Sequence, residues 1–176
     1  MNNLIEVNIQ KKYRLPIIVL VNGILYFIIF VQKGIHAESI LYCFMTTILI
    51  KISVLDEKTK QIPIKWNLLL MIIGILFTIM DKQHISSHLW GMMGMCTCLI
   101  LLYIFSKGSA IGGGDIKLMG AAGLILGLEQ SAYALLIACL LALVCHGVRM
   151  IKFGAEKVLA MGPYLSIGIW ICAIWK

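Results

Sequence analysis

Long apolar runs separated by short charged stretches make up most of this chain. Seven such runs emerge, from about Leu15 to Val31, Glu38 to Leu55, Trp66 to Met80, His88 to Phe105, Ile116 to Leu128, Ser131 to Ile151 and Leu159 to Trp175. A helix needs roughly 17 to 25 apolar residues to cross about 30 Å of hydrocarbon, and most of the runs fall near that length. None shows the strict polar and apolar alternation of a strand. In lipid the backbone must also satisfy its own hydrogen bonds, so the pattern predicts an all-α fold, a polytopic membrane bundle of about seven transmembrane helices. Ahead of the first run, "MNNLIEVNIQKKYR" alternates Leu4, Ile5, Val7 and Ile9 with polar residues, a pattern compatible with lying along the interface or with fraying.

Composition agrees with this reading and removes its main competitor. Hydrophobic residues are 61% of the chain, charged residues 13%, and the mean hydropathy is +0.97. Soluble domains carry about 25% charged residues, so a soluble domain of this length is excluded.

The net charge of +7 is an orientation signal. With the N-terminus in the cytoplasm, eleven basic residues fall on that side: Lys11, Lys12, Arg14, Lys58, Lys60, Lys65, Lys107, Lys117, Arg149, Lys152 and Lys157. Only Lys33, Lys82 and Lys176 fall on the other, while Lys51 lies within the second run, where its long stem can snorkel. Positive-inside bias therefore predicts a multi-pass protein of the cell membrane, N-terminus cytoplasmic and C-terminus outside. No aromatic and basic surface suited to nucleic acid is present. The first run lacks a small-residue cleavage site and reads as a retained anchor, not a signal peptide. Trp66, Trp90, Trp170 and Trp175 fit aromatic anchoring near the interfaces.

Cys43, Cys96, Cys98, Cys139, Cys145 and Cys172 all fall within the runs, and none forms a C-x-x-C pair. They read as small buried apolar residues, with no metal site and no disulfide framework expected. No cofactor is expected either, since there is no glycine-rich nucleotide-binding unit. Gly91, Gly94, Gly120, Gly123 and Gly127 suit close helix packing. His146 reads as packed or interfacial, and the remaining histidines as residues of connections.

Polar groups at membrane depth are the suspects for function. Glu6, Glu38, Asp81, Glu129 and Glu156 lie in termini or short connections. Asp56, closing the second run, and Asp115, opening the fifth behind Gly112, Gly113 and Gly114, are both predicted on the cytoplasmic side. The run from Ile116 to Leu128 covers only roughly 20 Å at 1.5 Å per residue, so its start either stops short or is sunk below the surface. Each aspartate alone reads most simply as a helix cap or a solvated end. Together in a cleft of low dielectric they would share one proton, the charge state that lets a carboxylate pair activate water against a peptide bond.

Three stretches carry a family resemblance. "GGGDIKL" (112–118) resembles the GxGD signature of type IV prepilin peptidases, "DEKTKQIP" (56–63) is similar to the aspartate and Ile-Pro half of that signature, and "MGPYLSIG" (161–168) resembles the Gly-Pro-aromatic motif that opens the last span. The resemblance runs from about Glu38 to Trp175. It implies a six-helix aspartic peptidase core over 38–176, preceded by an interfacial segment and one extra helix over 1–37. It also implies cleavage of the leader from prepilin or pilin-like precursors at the cytoplasmic face. Asp56 and Asp115 match the catalytic pair, with Gly112, Gly113, Gly114, Lys117, Pro63, Gly162 and Pro163 in supporting places. The four-cysteine zinc and methyltransferase module that many bacterial members carry after their first span has no counterpart between Val31 and Glu38. That points to the small forms serving Tad-like or archaeal-type filaments.

Two rival readings remain. The signal-peptide-peptidase group shares GxGD but pairs it with Tyr-Asp and Pro-Ala-Leu, where this chain has Leu55 before Asp56 and Gly162-Pro163-Tyr164. An ion or solute carrier using Asp56 and Asp115 as a binding pair is the alternative from another class. The implied partners are the precursor substrate and the lipid bilayer, and a homo-oligomer is compatible with both.

Overall fold

The computed structural model describes residues 2–108, 111–153 and 160–175, and among them the chain is all-α. Glu156, Lys157, Lys176 and the start of the last predicted run at Leu159 lie outside the described residues, as do the side chains of Lys11, Lys12, Arg14 and Lys152. The helices are α1 (Asn2–Lys33), α2 (Ala37–Thr59), α3 (Ile64–Met80), α4 (Ile85–Phe105), α5 (Gly113–Leu126), α6 (Leu128–Phe153) and α7 (Gly162–Trp175), with a 3-10 turn at Lys82–His84.

The predicted runs appear in order, but their lengths divide them. Windows at Pro16–Lys33, Ala37–Thr59, Lys82–Phe105 and Leu128–Met150 are long and apolar enough to cross a membrane, and apolar side chains such as Leu68, Ile72, Ile104, Leu143 and Val144 face outward. An outer surface of this kind is that of an integral membrane protein. The helices α3 (17 residues), α5 and α7 (14 each) are shorter. At 1.5 Å per residue a 14-residue helix covers about 21 Å, less than a bilayer core.

The chain forms two compact units, 1–47 and 48–176. In the first, α1 continues through Pro16 and meets the start of α2, where Tyr26 hydrogen-bonds Thr47 and the Lys33 ammonium lies 5.2 Å from the Tyr42 ring.

The second unit is built around α5, which lies against α3, α4, α6 and α7. Every residue from Leu118 to Leu126 is buried. A helix surrounded by protein is apolar on all sides, and hydropathy therefore scores it as a membrane span.

Small residues permit the close crossings. A methyl group on Gly91 of α4 would sit 2.5 Å from the Gly123 carbonyl oxygen of α5, and one on Gly120 would sit 2.6 Å from the Cys96 sulfur. A methyl on Gly168 of α7 would collide with the Ala134 carbonyl of α6. Gly127, at φ +83°, ends α5 and lets α6 begin at the next residue.

Three expectations need correction. Asp56 does not follow α2 but lies in its last turn, where its carbonyl accepts the Lys60 N–H at 2.8 Å. Of the six cysteines only Cys172 is buried, while Cys98, Cys139 and Cys145 sit on outward faces, where lipid accepts a small apolar residue as readily as a core does. His88 and Asp81 are not an ordinary connection either.

His88 is 1% exposed. Its Nδ1 lies 2.7 Å from the Leu124 carbonyl oxygen of α5, and its Nε2 lies 3.2 Å from Asp81 Oδ2. Asp81 Oδ1 also meets His84 Nδ1 at 2.9 Å. This cluster ties the α3–α4 connection to the C-terminal end of α5.

Candidate active site

The opposite, N-terminal end of α5 carries the aspartates. Asp115 is the third residue of α5, and its carboxylate accepts the Gly112 N–H at 3.2 Å while its own N–H donates to the Gly112 carbonyl at 3.1 Å. This reciprocal pairing closes the first turn with no side chain needed at Gly112. It also turns the carboxylate back over the glycine loop, not out along the helix.

Asp56 is held by a different helix end. It is 4% exposed, and its Oδ2 accepts the N–H of Gly162, the first residue of α7, at 2.8 Å. A helix N-terminus presents unpaired N–H groups and partial positive charge, and so suits a carboxylate. Gly162 is required sterically: a Cβ there would lie 2.8 Å from both the Asp56 Cβ and Oδ2. Pro163 follows in the first turn of α7, where a missing N–H costs nothing.

Both carboxylates line one cavity of about 330 Å³, together with Lys60, Ile62 and the Gly112–Gly114 loop. Asp115 lies ahead of the apolar run that begins at Ile116. Burial pushes its carboxyl up to about 6, the Gly112 N–H pulls in the other direction, and the charge of Asp56 adds to the rise. The two groups are thus close enough to sense one another. Among the described residues no salt bridge reaches either.

Other residues singled out from sequence occupy defined places. Pro63, in extended conformation, caps the start of α3 and follows Ile62, whose side chain fills the space a Cβ on Gly114 would need, 3.0 Å away. Lys117 is exposed and lines a neighbouring cavity, not the one that holds the aspartates. Lys51 lies 4.7 Å from the Trp66 ring in the first turn of α3, the cation–π counterpart of the expected snorkelling.

Sequence reasoning passed over Asn67. Its Nδ2 donates to the Gly114 carbonyl at 3.1 Å, linking α3 to the glycine loop. A lone amide in the otherwise apolar run from Trp66 to Met80 was the available signal. Among the described residues no group of three or more His, Cys, Asp or Glu side chains is arranged to hold a metal ion.

Residues 43–147, which include both aspartates, the glycine loop and Asn67, match the model of the type IV leader peptidase family. The chain belongs to that family. It is 27% identical to a prepilin leader peptidase/N-methyltransferase of Dickeya chrysanthemi, over 89% of this chain and 58% of that protein. Against the protein of the same description from Neisseria gonorrhoeae the identity is 26%, over 93% and 60% respectively. With that of Pectobacterium carotovorum subsp. carotovorum it reaches 32%, over 70% of this chain and 47% of the relative. The chain thus spans about half to three-fifths of the length of these curated relatives. No solved structure matches it significantly.

Proposed function

We propose that this leader peptidase family member is a membrane-embedded aspartic endopeptidase that removes the leader from type IV prepilin or pilin-like precursors at the cytoplasmic face. The observation that carries the reading is the pair itself. Two carboxylates from different helices, Asp56 and Asp115, line one cavity, and each is aimed by a glycine N–H.

In this mechanism the pair holds one proton. The ionised member takes a proton from a water lying between the carboxylates, and the water oxygen attacks the scissile carbonyl carbon. The protonated member gives its proton to the carbonyl oxygen, forming a neutral tetrahedral diol. Collapse of the diol breaks the C–N bond. The carboxyl that received the water proton delivers it to the leaving nitrogen, and the other recovers a proton from the diol. The Gly112–Gly114 loop, free of side chains, lets an extended substrate backbone approach Asp115 closely. The excess of basic residues near this end supports the N-in, C-out orientation, which brings the aspartates to the cytoplasmic face.

The test is cleavage of a pilin-like precursor by purified protein in lipid. Asp56→Asn and Asp115→Asn are each expected to reduce cleavage by about 10²- to 10⁴-fold or more while thermal unfolding stays native, since each removes one proton-transfer group. Full cleavage by both variants would refute the dyad. Labelled ion transport lost in the same variants, with no cleavage by the parent protein, would instead favour a carrier.

A further inference from the structure

A second cavity, of about 290 Å³, lies among α3, α4 and α5 beside the aspartate cavity, walled by Leu68, Met71, Met92, Cys96, Lys117 and the Asn67 side chain. Asn67 is 4% exposed. The Gly114 carbonyl can only accept a hydrogen bond, so the Asn67 nitrogen must face the loop and its oxygen must face the other way. That oxygen, Oδ1, is buried and has no hydrogen-bond partner among the described residues. A buried amide acceptor without a donor is costly, and an apolar side chain of similar size would avoid the cost. The position therefore pays for something beyond packing.

We propose that Asn67 is a positioning residue for peptide cleavage, fixing the glycine loop, and through it Asp115, by its amide hydrogen bond to the Gly114 carbonyl. Gly114 immediately precedes Asp115, so a restraint on its carbonyl is a restraint on the aspartate. The Ile62 side chain closes the opposite side of Gly114, which leaves the loop held between α3 and the residue that leads into it. The idea rests on the peptidase reading, yet the restraint on Asp115 can be measured without turnover.

The experiment uses the full chain in lipid nanodiscs with Asn67→Ala and Asn67→Gln. The first readout is an infrared titration of the protonated carboxyl band, assigned to Asp115 with Asp115→Asn. Loosening the loop in Asn67→Ala admits water to the carboxylate, and its titration midpoint is expected to drop by about one pH unit. The second readout is kinetics on a synthetic precursor peptide. Asn67→Ala is expected to lower kcat about tenfold with KM within about threefold, the equivalent of one lost hydrogen bond at the loop. Asn67→Gln keeps both ends of the amide and is expected to recover most of the loss.

An unmoved carboxyl midpoint in Asn67→Ala overturns the restraint on Asp115. A KM that rises as much as kcat falls, or equal loss in Asn67→Gln and Asn67→Ala, reduces the residue to packing. If the parent protein cuts no precursor the peptidase reading fails, and the infrared result then decides the loop restraint by itself.

Discussion

The two ends of α5 handle their carboxylates in opposite ways. At the C-terminal end Asp81 is hydrogen-bonded by His84 and His88, and His88 in turn reaches the Leu124 carbonyl, so hydrogen bonds within the protein hold the group. At the N-terminal end Asp56 and Asp115 each have one glycine N–H and a cavity of about 330 Å³ between the elements that carry them. A matched cluster stabilises the fold and is chemically quiet. An undermatched pair costs stability and retains the capacity to move protons. If this contrast is right, damage at one end should abolish chemistry with little unfolding, and damage at the other should do the reverse.

The largest effect is expected from Gly162→Ala. The new methyl would fall 2.8 Å from the Asp56 carboxylate oxygen and Cβ, displacing the side chain or opening the α7 N-terminus. Misplacement of a catalytic group by about 1 Å costs about 100-fold in rate, the loss expected in a precursor cleavage assay. Cleavage within threefold of the parent would show that the Gly162 contact does not aim Asp56.

The far end should answer differently. Replacing His88 by leucine removes two hydrogen bonds, leaving the Leu124 carbonyl to the Thr78 hydroxyl and Asp81 to His84, at a cost of about 2 kcal/mol for the two together. For a chain of this size that corresponds to a fall of about 4 to 8 °C in the unfolding midpoint, measurable by scanning fluorimetry in detergent. Cleavage per folded molecule is expected to stay within threefold. A His88→Leu protein with native stability and lost cleavage would invert the comparison.

A smaller and more specific effect concerns pH. The Asp115 carboxyl is pushed from an ordinary 3.8 up to about 6, so the folded state holds its proton more tightly than the unfolded chain does. The stability contribution is then fully present below about pH 4 and is lost as pH rises through about 6. Unfolding midpoints measured between pH 4 and 7 should show this fall in the parent protein, and the fall should be absent in Asp115→Asn. On the proposed mechanism cleavage needs one ionised carboxylate, so its acid limb should report an apparent value belonging to the pair. A parent protein whose stability did not change between pH 4 and 7 would show that Asp115 does not hold its proton above the ordinary carboxylate range.

How much of this was legible beforehand follows the same division. Helix order was readable because apolar runs and their charged breaks are local features, and Asp56, Asp115 and the Gly162-Pro163 turn stood out through short motifs. The Asp56–Gly162 contact spans 106 positions and depends on a glycine whose missing side chain makes the room, which no periodicity encodes. The His88 cluster was hidden for the opposite reason. Asp81, His84 and His88 look like the polar residues of any connection, and only the fold brings the Leu124 carbonyl to them. Asn67 was visible as a lone amide but unassigned, because its partner is a backbone carbonyl 47 residues away.

The smallest expected effect lies at Lys60. Gly127 makes its turn with the left-handed backbone that glycine favours, but at the other end Lys60 adopts φ +53° without that advantage. Left-handed geometry costs a residue with a side chain about 1 to 2 kcal/mol, and the extra freedom glycine has when unfolded takes back about 0.4 to 1. Lys60→Gly should therefore raise stability by about 1 kcal/mol, or about 2 to 4 °C in the unfolding midpoint. Lys60→Gln removes the same charge but leaves the backbone strained, so it should not gain that stability. Any change in the pH profile shared by both variants belongs to the lost ammonium beside Asp56, whereas a gain in stability shared by both would show that the strain at this turn is not what costs the fold its stability.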